Sequence, residues 1–272
     1  MLNPILGEVF AVDKPLGITS FAAVRRVRGV LQRRLGLRSL KVGHAGTLDP
    51  LATGVLIICT GHATKRIGEL QAGVKQYVAG IRLGATTPSF DLETSIDATY
   101  PWEHITRETI EQVLAERFTG SIEQIPPAFS ACKVDGKPAY KLARRGQDVA
   151  IEPRILVIDE IALTRCELPQ EPLIEVTVTC SKGTYIRALA RDIGQALGSG
   201  AHLTSLRRTR VGDFDVATCP TLDQLIEQLQ QEPMVPADEA EQQRLEAERI
   251  ANRQRAAALK AAQRKRQQQT EK

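Results

Sequence analysis

Residues 43–61 constrain this chain more than any other stretch: Gly43-His-Ala-Gly-Thr-Leu-Asp-Pro-Leu-Ala-Thr-Gly54, then Val55-Leu-Ile-Ile-Cys-Thr-Gly61. Pro50 biases Asp49 towards an extended backbone, so the loop does not open as a helix. Gly43, Gly46 and Gly54 admit positive φ and a close approach of ligand to backbone. The apolar, β-branched run Val55–Thr60 reads as a buried strand. Asp49 is the only carboxylate within residues 14–68, an interval that carries ten Lys and Arg. A lone acid at a loop-to-strand junction, facing a basic surface, is a candidate nucleophile in a pocket for a polyanion. The commoner fate of Asp-Pro in a glycine-rich loop is a turn whose carboxylate bonds nearby amides.

The 272 residues are enough for one large domain or two modest ones. Hydrophobic content of 42% and charged content of 25% are those of a soluble globular protein. No apolar run reaches the length of a membrane span, and the N-terminus lacks the pattern of a secretory signal, so a cytoplasmic location is expected. The five cysteines are scattered and never form Cys-x-x-Cys, which fits reduced buried thiols and no structural metal. Residues 24–41 hold seven cations and no acid, a patch suited either to phosphate contacts or to a solvated helix face.

Along the chain, residues 8–15 read as a strand. Thr19 or Ser20 caps a helix whose apolar face is Phe21, Val24, Val27 or Arg28, Leu31 and Leu35. A short helix is expected from Gly61. Tyr77–Leu83 alternates as a half-buried strand, and residues 84–93 form a loop with Thr86, Thr87 and Asp91. Residues 106–118 show helical spacing, and the Pro- and Lys-rich stretch 125–140 reads as an exposed excursion. Strands follow at 155–163, 174–180 and 203–211, with a helix over 184–197. Thr221 and Gln224 form a capping box for another helix. Strands interrupted by unequal helices, without a βαβ beat, indicate an α+β fold with a mixed, mainly antiparallel sheet. After Pro233 the composition turns to Ala, Glu, Gln, Arg and Lys, good helix material with too few apolar residues to pack by itself.

The chemistry is narrowed by what is missing. There is one carboxylate near position 49 where glycosidases use two, and no phosphate-cradling Gly-x-x-x-x-Gly-Lys loop. Zinc-binding and nucleophilic-serine motifs are absent as well. A single carboxylate nucleophile fits a rearrangement that needs neither water nor energy input. Isomerising uridine to pseudouridine is such a reaction, and it requires a base-flipping pocket with a stacking aromatic.

The block Gly43–Leu56 strongly resembles the catalytic motif of the TruB family of tRNA pseudouridine synthases. Asp13-Lys-Pro-Leu-Gly-Ile-Thr-Ser20, Lys75-Gln-Tyr77, Ser181-Lys-Gly-Thr-Tyr-Ile-Arg187 and Ala201-His-Leu-Thr-Ser-Leu-Arg-Arg208 match in order, so the resemblance covers about residues 8–215. It implies the pseudouridine synthase fold and modification of the uridine at position 55 in the tRNA T loop, without cofactor or metal. Asp49 would be the nucleophile. Tyr77 would stack on the flipped uracil and help move its C5 proton. Arg187 would pair with Asp49, lowering its pKa; a cation in the first turn of a helix opposes the dipole and needs such an anion. Tyr185 and Leu206 would line the uracil pocket, and His44 would contact the T loop. Lys14 and Lys65 would support the sheet or phosphates. Lys133 and Lys137, with Tyr140, Arg144 and Arg145, resemble the family's RNA-gripping insertion at 125–150.

The expected organisation is a catalytic domain over 1–232 and a charged tail over 233–272, helical or disordered. In some members an RNA-binding PUA domain follows the catalytic one; here only the tail does, and it is expected to be dispensable for chemistry. The partner implied is the T arm of tRNA, met by a monomer needing no protein partner and no membrane. The alternatives are a synthase for another T-loop-like RNA and a non-catalytic RNA-binding or chaperone protein, which would tolerate loss of Asp49.

Overall fold

The computed structural model describes residues 1–130, 132–134, 136–139, 142 and 150–270. In chain order the first half contains β1 (Val9–Lys14), α1 (Ser20–Leu35), β2 (Val42–Ala45), β3 (Ala52–Thr60), α2 (Ile67–Ala72), β4 (Lys75–Leu83), β5 (Ala85–Thr86), β6 (Ala98–Thr99), α3 (Arg107–Arg117) and β7 (Gly120–Gln124). The second contains β8 (Lys133–Val134), β9 (Lys137–Pro138), β10 (Arg154–Cys166), β11 (Leu173–Cys180), α4 (Ile186–Ala196), β12 (Ala201–Val211), β13 (Phe214–Asp215), α5 (Leu222–Gln231) and α6 (Glu239–Thr270). Nine strands make one sheet, ordered β1-β3-β12-β4-β11-β10-β7, with β2 beside β3 and β13 beside β12. Every pair in it is antiparallel except β3 with β12. The expected α+β fold with a mixed, mainly antiparallel sheet is the one found.

Hydrophobic periodicity explains most elements. On β4 the residues Tyr77, Ala79, Ile81 and Leu83 are buried and alternate with more open ones. They join Val176 and Val178 of β11, Ile110 and Leu114 of α3, and Leu189 and Ile193 of α4 in the largest core cluster. A second core lies under α1, where Val24, Val27 and Leu31 meet Leu56 and Ile58 of β3 and Leu222, Leu225 and Leu229 of α5. The Thr221–Gln224 capping box opens α5 as expected. Among the described residues no helix is long and apolar enough to cross a membrane.

Two expectations change. Phe21 is not on the buried face of α1: it is 57% exposed, with the Arg28 guanidinium 5.9 Å from its ring centre. The buried stripe instead runs through Ser20, Ala23, Val24, Val27, Val30 and Leu31, and position 21, one residue further round the helix than Ser20, falls off it. β7 has no clear strand signal, because its residues Gly120-Ser-Ile-Glu-Gln124 bury only Ile122 and Gln124; its pairing with β10 makes it a strand. Of the 125–150 stretch, Lys133 stands opposite Pro138 and Lys137 opposite Val134 in the β8–β9 hairpin. Their side chains, and Tyr140, Arg144 and Arg145, lie outside the described residues.

The parallel β3–β12 pairing places the Asp49 loop. Leu206, Arg207 and Arg208 stand opposite Ala52, Thr53 and Gly54. Gly54 has φ of 102°, and a Cβ there would come within 2.1 Å of the Arg208 carbonyl oxygen. Gly54→Ala should therefore cost about 3 kcal/mol or more, and thermal denaturation of the purified variant checks it.

Candidate active site

The loop between β2 and β3 is pinned from three sides. Ser20 Oγ donates to the Leu48 carbonyl and accepts from the Leu48 amide, at 2.9 and 2.8 Å. The Gly17 amide donates to the Pro50 carbonyl at 2.8 Å. From below, the buried Arg208 guanidinium donates to the carbonyls of Gly46 (3.0 Å), Val55 (2.8 Å) and Thr47 (3.5 Å). Gly46 has φ of 87°, which turns its carbonyl towards that cation without the strain another residue would meet. These contacts hold Leu48 in the core and leave the Asp49 side chain 40% exposed.

Arg187 reaches the same point from the first turn of α4. That helix starts where the Tyr185 amide donates to Gln124 Oε1 (2.9 Å) and Gln124 Nε2 donates back to the Tyr185 carbonyl (3.2 Å). No acid occupies its first turn. The anions come from elsewhere in the chain: Arg187 Nε lies 3.0 Å from Asp49 Oδ2 and 3.6 Å from Asp91 Oδ2. Its other nitrogens donate to the Ser89 carbonyl (3.1 Å) and the Phe129 carbonyl (2.9 Å). The guanidinium, 6% exposed, thus has all its groups engaged.

Asp91 has no role in the sequence reading. It sits in the β5–β6 loop, where its Oδ1 accepts from the Glu93 amide at 2.9 Å and its carbonyl accepts from Thr87 Oγ1 at 2.7 Å. Phe90 beside it takes φ of 60°, unusual for a bulky side chain. Nothing in local sequence distinguished Asp91 from a loop turn residue; the signal was a second carboxylate for a first-turn arginine.

The expected lowering of the Asp49 pKa is not what the structure gives. Burial pushes the carboxyl above its ordinary value, and Arg187 opposes this only in part. One guanidinium serves two carboxylates, and the negative charges of Asp91 and Glu93 add to the upward push. Lys14 lies underneath, its Nζ donating to the carbonyls of Pro15 (2.8 Å) and Ile18 (2.9 Å). Burial lowers its pKa to about 8, against the pull of Asp49, so it remains mostly charged at neutral pH.

Asp49, Arg187 and Asp91 open on a small cleft walled by Leu51, Ala52, Leu92 and the β12 segment Leu203–Leu206. Leu206 is therefore brought to the acid as an apolar wall. The ring of Tyr77 is buried on β4, opposite Arg208 and Val178, and burial pushes its hydroxyl pKa up while Arg208 opposes the shift. Neither Tyr77 nor Tyr185 is among the residues lining the cleft. His44 lies on β2 opposite Ile58; its Nδ1 is buried with no hydrogen-bond partner among the described residues, and burial followed by Arg208 lowers its pKa.

Comparison with known proteins identifies the family. The model for the N-terminal domain of the TruB family of pseudouridylate synthases matches residues 32–186, and that for the C-terminal domain of tRNA pseudouridylate synthase B matches residues 187–246. The chain is 63% identical over 226 residues to tRNA pseudouridine synthase B of Phocaeicola vulgatus, covering 83% of this chain and 94% of that one. It is 65% identical over 213 residues to the Bacteroides fragilis protein of the same name, covering 78% and 90%. Among solved structures, a Cbf5-Nop10-Gar1 complex is similar with a TM-score of 0.61 at 32% identity, over 83% of this chain and 55% of that chain. An H/ACA RNP bound to a substrate RNA containing 2'-deoxyuridine is similar with a TM-score of 0.57 at 30% identity, over 82% and 54%. This chain thus spans about half the length of those two structural relatives. The chain belongs to the TruB family of pseudouridylate synthases.

Proposed function

We propose that this protein isomerises the uridine at position 55 in the T loop of tRNA to pseudouridine, with Asp49 as nucleophile. The observation that carries the reading is a carboxylate held at the mouth of a small cleft, 3.0 Å from a buried guanidinium. The names of its relatives supply the substrate class.

The uridine must leave its stack to reach Asp49, because the carboxylate lines a cleft that a stacked base cannot enter. The Asp49 carboxylate takes part in breaking the C1'–N1 bond. The uracil turns within the apolar walls of Leu206, Leu51 and Leu92, and a C1'–C5 bond forms. C5 loses its proton and N1 gains one, so the product has the composition of the substrate. Arg187 holds the carboxylate in place, and Asp91 acts through Arg187 as a positioning residue. Tyr77 is assigned to stacking on the flipped base; burial keeps its phenol neutral, which opposes a role as phenolate base for the C5 proton. Tyr185 is assigned to the pocket once RNA is bound. His44 is assigned to a T-loop contact from its place on β2, just before the loop that carries Asp49. Lys133 and Lys137 on the β8–β9 hairpin are assigned to RNA phosphates. One chain carries both carboxylates, the guanidinium and the cleft walls, which supports action as a monomer without a protein partner; a tRNA substrate supports a cytoplasmic setting.

Asp49→Asn should reduce tritium release from 5-labelled uridine in tRNA by at least about 1,000-fold while leaving tRNA binding intact. Retained turnover would leave a non-catalytic acid and defeat the proposal. Because the folded carboxyl has a raised pKa, its ionised form costs stability above that pKa, and the cost disappears as pH falls below the unfolded value. At pH 7 the same variant should therefore melt no lower than the parent, as differential scanning calorimetry would show.

Activity requires ionised Asp49, so the acid limb of kcat/KM should lie above the usual aspartate range near about 4. Removing the Asp91 charge lowers the Asp49 pKa. Asp91→Asn should thus lower kcat by about 10- to 100-fold yet move the acid limb to lower pH, a split that a purely structural role would not produce.

A further inference from the structure

The family match ends at residue 246, but α6 continues to Thr270. Its start is docked: Leu245 is buried against the α1–α5 core, and Lys41 pairs with Glu248 at 2.7 Å. Beyond that, every described side chain from Ile250 to Ala262 is exposed. Residues 249–270 hold seven cations and no acid. Arg249 is engaged by Glu246, but Arg253, Arg255 and Lys260 pair with no carboxylate among the described residues. Arg253 and Lys260 are seven residues apart and share a face, a row that the sequence extends with Arg264.

The same stretch rules out the usual apolar partners of a long helix. Ile250 and Leu259 are nine residues apart and fall on opposite sides, so no seam exists for a coiled coil and no apolar face for a membrane surface. What remains is a cationic rod. Its anchor lies at the end of β3 away from the cleft, because Val42 stands opposite Thr60 while Asp49 precedes Ala52. That separation is about 26 Å along the strand, and the rod beyond Glu248 is about 33 Å long. A ligand that meets the rod must offer negative charge, and one that reaches both the anchor and the cleft must span that distance.

We propose that α6 beyond Glu248 is an arm that binds the phosphate backbone of substrate tRNA outside the T arm. The inference rests on the tRNA-modifying reading above. Phosphate contacts of this kind add affinity and salt dependence without touching the chemistry.

The test uses the full chain with Arg253→Gln, Arg255→Gln and Lys260→Gln combined. Kd is measured by filter binding at several salt concentrations, for full-length tRNA and for an isolated T-arm hairpin, alongside pseudouridine formation. Expected are a roughly 3- to 10-fold weaker Kd for tRNA, a salt slope shallower by about 2 to 3, unchanged kcat and no change for the hairpin. Unchanged tRNA affinity and slope would overturn the proposal and assign the arm to a protein partner. Equal weakening for the hairpin would also overturn it, by placing the contact on the T arm. If the parent bound tRNA but made no pseudouridine, the functional reading would fail while the binding comparison still decided the arm.

Discussion

The Arg187 guanidinium is the interaction on which the site depends. A buried cation must recover its lost hydration from partners of good geometry. Those partners come from three distant loops: Asp49 before β3, Ser89 and Asp91 after β5, and Phe129 after β7. Satisfying one arginine therefore closes several segments around one cleft. Sharing it between two carboxylates has a chemical consequence, since neither anion is fully neutralised and Asp49 keeps a raised pKa. The carboxylate is held in place yet left less stabilised than a dedicated ion pair would leave it, which suits a nucleophile.

Under the loop lies a second layer of buried positive charge, held by carbonyl oxygens rather than by acids. Arg208 bonds Gly46 and Val55, and Lys14 bonds Pro15 and Ile18. Carbonyls compensate the loss of water without cancelling the charge, so the field persists beneath Asp49. It contributes to lowering the His44 pKa and opposes the rise at Tyr77. The cations of residues 14–68 thus divide by role: Lys14 joins Arg208 in the floor, while those of α1 such as Arg26 and Arg34 face outward.

Periodicity and turn chemistry made much of this legible. The alternation on β4 and β11, the Thr221–Gln224 capping box and the Pro-Gly punctuation placed nearly every long element within a few residues. The glycine-rich loop pointed to Asp49, and a cation in the first turn of a helix pointed to Arg187. Phe21 went astray because one residue of rotation on a helix exchanges core for solvent. β7 was missed because its strand character comes from β10, not from its own side chains.

By itself the sequence determined the family and the order of elements and singled out Asp49 as the candidate acid, because each rests on local identity or short-range spacing. Only the tertiary structure decided that Asp91 belongs to the site and that burial outweighs Arg187 in setting the Asp49 pKa. Both depend on distances between residues far apart in the chain and on how much water the fold removes, and neither quantity is written in any local pattern.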